Sequence, residues 1–138
     1  MLGQPEKSFA SVLDNFKGER ITAEHKYDGV RAQVHVGCGG EVKVFSRHSD
    51  ETTDTWRADL VPFFEGARPS QYVLDVEVVA VDEGGKIAPF QQLATRKRKL
   101  AAGDEAGEGL GEVNTRVYAF DCLVFEGASV MAEALELR

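Results

Sequence analysis

The sequence predicts an α+β domain: a mainly antiparallel sheet with flanking helices. Three observations lead there. Short apolar segments with a two-residue alternation are joined by Gly-rich stretches, short enough only for antiparallel neighbours. Two segments of helical period sit outside any regular strand–helix alternation. One segment, Gln71 to Val81, is rich in β-branched residues and apolar on both faces, the composition of a covered central strand. At 138 residues the chain is one domain or a piece of one, long enough for a hydrophobic core.

Taken in order, Ser8 to Phe16 places Phe9, Val12, Leu13 and Phe16 at helical spacing. Ile21 to Tyr27 reads as a strand leading into an Asp28-Gly29 hairpin turn. From Val30 the pattern alternates, with Val30, Ala32, Val34 and Val36 on one face and Arg31, Gln33 and His35 on the other. Gly37 to Gly40 is a turn. Glu41 to Arg47 returns, with Val42 and Val44 opposite Lys43, Phe45 and Arg47. Asp50 to Phe64 is expected to be helical, with Trp56, Leu60, Val61 and Phe64 in one stripe. The strand Gln71 to Val81 is interrupted on a single face by Asp75 and Glu77. Residues 101–114, rich in Gly and acids, read as a solvated loop. Arg116 to Phe125 is a further strand, with Phe120 between Tyr118 and Cys122 on one face, and Glu126-Gly127 closes it in a turn. Val130 to Arg138 begins a helix.

No apolar run approaches the roughly 20 residues of a membrane helix, and the N-terminus lacks a signal-peptide layout. Cys38 and Cys122 make neither a disulfide framework nor a metal spacing, and His25, His35 and His48 form no ligand pattern either. The net charge of −7 argues against a nucleic-acid binder, but it is unevenly spread. Residues 1–100 hold 14 Lys and Arg against 15 Asp and Glu, and residues 101–138 hold 2 against 8. A local phosphate-facing patch in the first hundred residues is therefore compatible with the total.

Several residues carry potential chemistry. In Lys26-Tyr27-Asp28-Gly29-Val30-Arg31 a lysine and an arginine flank the turn. A lysine held near other cations loses proton affinity, and its neutral amine is a nucleophile; the alternative is a surface hairpin with solvated charges. Glu77 lies in an apolar strand, where it either pairs with an arginine or faces a phosphate, holding Mg²⁺ or a ribose hydroxyl. Arg47 is either a solvated strand end or an anion ligand. Phe120 is either core or a base-stacking surface. Thr95-Arg96-Lys97-Arg98-Lys99 packs four cations into five residues: a phosphate-attracting run, a solvated surface or a nuclear-import signal.

Lys26 to Arg31, Phe45-Ser46-Arg47, Asp75 to Ala80, Pro89-Phe90-Gln91 with Thr95 to Lys99, and Tyr118 to Asp121, in this order, resemble the adenylation domain of ATP-dependent DNA ligases. That is an ATP-grasp-like nucleotidyltransferase fold, and the pattern is most like that of the eukaryotic replicative ligase and its archaeal relatives. The resemblance runs along the whole chain, and Thr95 to Lys99 is its most discriminating piece. It implies that Lys26 attacks the α-phosphate of ATP to give a lysyl-AMP, that AMP passes to the 5′-phosphate of a DNA nick, and that the 3′-hydroxyl then seals the strand. By the same resemblance Glu24 reads the adenine amino group, Arg31 touches the ribose side, Glu77 serves the ribose or Mg²⁺, Phe120 stacks on the adenine, Arg47 faces the phosphates at the nick, and Arg96, Lys97, Arg98 and Lys99 face DNA. The implied cofactors are ATP and Mg²⁺, the partner is nicked double-stranded DNA, and the location is intracellular, in the nucleus if the eukaryotic likeness holds.

The family also carries a Glu-Gly strand followed by a lysine and a Lys-x-Lys strand downstream. The lysines here are at 7, 17, 26, 43, 86, 97 and 99, so neither is matched. His48 stands where relatives often have Asn. Residues 1–138 are accordingly expected to be the N-terminal portion of an adenylation domain, without its second half and OB-fold domain, and weakly active or inactive alone. The competing expectations are a non-catalytic nucleotide- or DNA-binding module of ligase origin, an RNA ligase or capping-type nucleotidyltransferase, and a gene-model fragment.

Overall fold

A computed structural model describes residues 5–64, 71–94 and 113–138. Among them run α1 (Phe9–Asn15), β1 (Val30–Val36), β2 (Val42–Ser46), α2 (Thr53–Phe64), β3 (Tyr72–Val81), β4 (Asn114–Phe125), β5 (Ala128–Ser129) and a 3₁₀ turn at Leu135–Leu137. The strands form one sheet in the order β2-β1-β3-β4-β5, and every pairing is antiparallel. Among the described residues, no helix is long and apolar enough to cross a membrane.

The two faces of the sheet have separate uses. Ala32, Val34 and Val36 of β1, Val44 of β2 and Val76, Val78 and Ala80 of β3 are buried together on one face. Trp56 and Leu60 of α2 cover them, with Ala88 and Leu93. The opposite face carries Arg31, Gln33 and His35 of β1 beside Asp75 and Glu77 of β3. The alternation expected for β1 is therefore observed, and it points the polar row away from the core.

At the edge strand β2 the outward backbone of Val44 is satisfied by the start of α2. Its N–H donates to Thr53 Oγ1 at 3.0 Å, and its carbonyl accepts from the Thr52 N–H at 2.7 Å. At Val44 the edge is therefore closed to pairing with another chain. At the other end Glu126 (φ 48°) and Gly127 (φ 81°) form the left-handed two-residue turn between β4 and β5.

Three expectations are corrected. Ile21 to Tyr27 is not a strand, and Asp28-Gly29 is not a hairpin turn: both sides of β1 are already taken, by β2 and β3, so no hairpin partner can pair there. Val130 to Arg138 is not a helix beyond the 3₁₀ turn. Its apolar side chains do not reach a core, Met131 and Leu137 being exposed, and a helix without a packed face is marginal. Phe120 does not share a face with Cys122: β4 slips register so that Asp121 opposes Asp75, Ala119 opposes Val76 and Phe120 is the extra residue. Such a bulge re-aims the side chain it inserts. Residues 101–112 and the basic run Thr95 to Lys99 lie outside the described residues.

Candidate active site

The Lys26 segment has no ladder hydrogen bonds to fix it, and a ring stack and a close backbone approach hold it instead. The Tyr27 ring stacks on Tyr118 of β4, with centroids 4.1 Å apart and planes 13° from parallel. Gly29 lies against β3 so closely that a Cβ there would sit 2.2 Å from the Val78 carbonyl oxygen and 3.0 Å from Glu77 Cγ. Glycine is needed at this point for close approach of two backbones, and its φ is not positive. The crossing brings Lys26 over the polar face of the sheet.

There it borders a cavity of about 670 Å³ lined by Glu24, Lys26, Arg31, Arg47, Glu77 and Phe120, every one a residue singled out individually in the sequence. His25, Tyr27, Asp28, Ser46, His48 and Phe90 also line it. His25 and His48 form no ligand pattern in the sequence, and Phe90 enters it only within a motif. No residue-level signal marks them, because their position depends on how three separate segments meet. A second cavity of about 350 Å³ continues along β1 and β2, sharing Arg31, Ser46 and Arg47 with the first and adding Gln33, His35, Phe45 and Asp75. Burial holds His35 below the usual histidine range.

Arg31 is directly opposite Glu77 in register, but its guanidinium reaches diagonally to Asp75. Nε donates to Asp75 Oδ1 at 2.9 Å, and Nη2 donates to Asp75 Oδ2. This two-point fork raises the Arg31 pKa. Asp75 is buried, at 5% exposure, and the arginine supplies the partner that a buried carboxylate needs. The ion pair foreseen as one option for Glu77 is thus made by its neighbour two positions earlier. Burial raises the Glu77 pKa; a hydrogen bond from the Gly29 backbone and the charges of Lys26 and Arg31 offset part of the rise. The Phe120 ring stands 5.8 Å from Arg31 Cζ, in range of a cation–π contact.

The site therefore presents a lysine amine, two guanidiniums, a half-buried carboxylate and an aromatic face around one open cleft. Such a set can grip an anionic ligand with a planar ring, and the Lys26 amine on the same cleft is a potential nucleophile. Among the described residues, no group of three or more His, Cys, Asp or Glu is placed to hold a metal. Glu77 lines the cleft together with Glu24 and Asp28, and is the half-buried carboxylate there that could hold a divalent cation.

Comparison with known proteins adds the following. A family model described as ATP dependent DNA ligase domain matches residues 1–138. DNA ligase 1 of Saccharomyces cerevisiae is 37% identical over 143 residues, which covers 100% of this chain and 18% of that protein. DNA ligase 1 of Drosophila melanogaster is 40% identical, with the same coverage of 100% and 18%. A DNA ligase of Haloferax volcanii is 41% identical over 142 residues, covering 99% of this chain and 24% of its own length. The chain thus spans 18–24% of the length of these curated relatives. Among solved structures, the ligase domain of M. tuberculosis LigD superposes with a TM-score of 0.64 at 24% identity, over 83% of this chain and 33% of that one. A mycobacterial DNA ligase D complexed with ATP and MES gives a TM-score of 0.65, also at 24% identity and with the same coverage. At that identity the likeness speaks to the fold, an antiparallel sheet with few helices.

Proposed function

The chain belongs to the ATP-dependent DNA ligase family, and from that premise we propose that it supplies the nucleotide-transfer chemistry of nick sealing. The observation that carries this reading is the single cleft gathering Glu24, Lys26, Arg31, Arg47, Glu77 and Phe120 from four separate stretches of sequence.

In this reading ATP lies with its adenine against Phe120 and Glu24 and its ribose towards Arg31 and Glu77. Lys26 Nζ attacks the α-phosphorus: an N–P bond forms, the bond to pyrophosphate breaks, and the amine releases its proton to solvent. The AMP held on Lys26 then passes to the 5′-phosphate of nicked double-stranded DNA, which Arg47 faces, and the 3′-hydroxyl displaces AMP. Fixed cations matter here because charge on the phosphates must be stabilised as it develops. Glu77 would hold Mg²⁺, which when bound neutralises phosphate charge. Its raised pKa fits a group whose ionised form gains from a cation brought with the substrate. The basic run Arg96, Lys97, Arg98 and Lys99 is assigned to DNA, and the location that goes with this substrate is intracellular. A nuclear location rests on the eukaryotic side of the likeness.

We place residues 1–138 in the N-terminal portion of an adenylation domain. The 138 residues taken alone are expected to transfer AMP slowly and not to seal nicks robustly, because no lysine beyond Lys99 is present to hold the departing phosphates. The test uses ATP labelled on its α-phosphate, with Mg²⁺, on the wild-type chain and Lys26→Ala. Label that survives denaturation and is absent from the variant supports the reading. Label absent while ATP still binds a folded chain makes this a non-catalytic module; no label and no ATP binding overturns the proposal.

A further inference from the structure

Behind the cleft, two acids face each other across the sheet: Asp75 of β3 and Asp121 of β4 are direct partners in register. Like charges placed directly opposite destabilise a sheet, and both side chains are largely withdrawn from water, Asp75 at 7% and Asp121 at 19% exposure. Each has its own arginine. Arg31 forks onto Asp75 from the cavity side. From the other side Arg138 Nη1 donates to both oxygens of Asp121 at 2.6 Å, and its Nε donates to the Glu133 carbonyl at 3.1 Å. The result is a charge chain, Arg31–Asp75–Asp121–Arg138, with its first member in the cleft and its last outside it.

The separation of the two pairs is not guaranteed by their own geometry. Arg31 uses Nε and Nη2 for Asp75, its side chain is 53% exposed, and Asp121 acts on it electrostatically as Asp75 does. An Asp121 without Arg138 would still act on the Arg31 guanidinium, and a guanidinium with spare donors can be shared. Phe120, the bulge residue beside Asp121, is in contact range of the same guanidinium. We propose that Arg138 is a positioning residue: by neutralising Asp121 it leaves Arg31 committed to Asp75, and so sets the guanidinium and the Phe120 ring in the cleft. The inference concerns the site for which nucleotide transfer is proposed, but its geometry stands whether or not ATP is the ligand.

The alternative role for Arg138 is a plain clamp tying residues 130–138 to β4, and the two roles differ in sign for one variant. If Arg138 acts by neutralising Asp121, then Asp121→Asn removes the competitor and cures Arg138→Gln. If it is a clamp, Asp121→Asn breaks the same tie and copies the defect. The measurement is the side-chain Nε–Hε signal of Arg31 by NMR on the full chain, with its hydrogen-exchange rate. In Arg138→Gln the Arg31 signal should shift and exchange roughly tenfold faster, the loss of about one charge-assisted bond. In Asp121→Asn, and in the double variant, it should keep its wild-type position and protection. An unmoved Arg31 in Arg138→Gln, or a double variant as defective as the single, overturns the proposal. Should Arg138→Gln fail to fold, a folded double variant with the wild-type Arg31 signal supports the proposal, and an unfolded one overturns it. A parallel ATP titration of the wild-type chain separates the two claims: no binding there counts against nucleotide transfer and leaves the charge chain standing.

Discussion

At the scale of single residues, the choices that shape the cleft are made between near-equivalent side chains. Arg31 has Asp75 and Glu77 both within reach on one sheet face, and it takes the buried acid, whose desolvation is the costlier to leave unpaired. Glu77 is left with a raised pKa caused first by burial. An acid whose folded pKa lies above its unfolded value binds protons more readily in the folded state, so stability falls as pH rises. Relative to Glu77→Gln, the wild-type chain should therefore lose stability as pH rises from the ordinary carboxylate value of about 4.5 through the raised folded value, and regain it on acidification. Urea midpoints across pH 4–8 check this, and a pH-independent difference between the two would refute it. Gly29 has the opposite character, being fixed by space. Gly29→Ala forces a methyl to within 2.2 Å of the Val78 carbonyl oxygen, and should cost about 1–3 kcal/mol, with a loss of AMP transfer as the Lys26 crossing is displaced.

Among elements, the junction of β2 and α2 does more than its length suggests. Thr53, buried at 8% exposure, caps the Val44 N–H from the helix start. Thr53→Val keeps the shape and removes the acceptor, so denaturation should show a loss of about 1–3 kcal/mol from the unpaired donor. Leu60, fully buried beneath the sheet, should cost about 2–5 kcal/mol as Leu60→Ala. Both changes lie on the far face from the cleft, so ATP affinity of the folded fraction should stay unchanged in each. By contrast α1 forms as its spacing predicts, with Ser8 Oγ accepting from the Ser11 N–H at 3.2 Å, yet it buries none of its residues; Phe9 is 71% exposed. Period alone reports an amphipathic helix and does not say what covers its apolar face.

At the scale of the molecule, much was legible in advance because it depends on local pattern. Alternation in β1 and β2, the stripe of α2, the doubly apolar β3 and the Glu126-Gly127 turn all follow from side-chain period and backbone preference, and so does the antiparallel α+β class. The candidate ligands were legible for a related reason: charged residues set into apolar strands are conspicuous, and their order matched a known family. Local pattern misled where a long-range fact intervened. Ile21 to Tyr27 has strand composition, but β1 has no free side to pair with, so stacking on Tyr118 and the Gly29 crossing hold it instead. Phe120 departs from its alternation because β4 inserts one residue against β3. By itself, then, the sequence determined the elements, the faces and the inventory of chemical groups, since each is a property of neighbours along the chain. Only the tertiary structure decided which acid Arg31 holds, that Lys26 and Glu77 share one cleft, and that Arg138 pairs with Asp121. Those contacts join residues 17 or more positions apart, and their outcome is set by burial and register, which no local window contains.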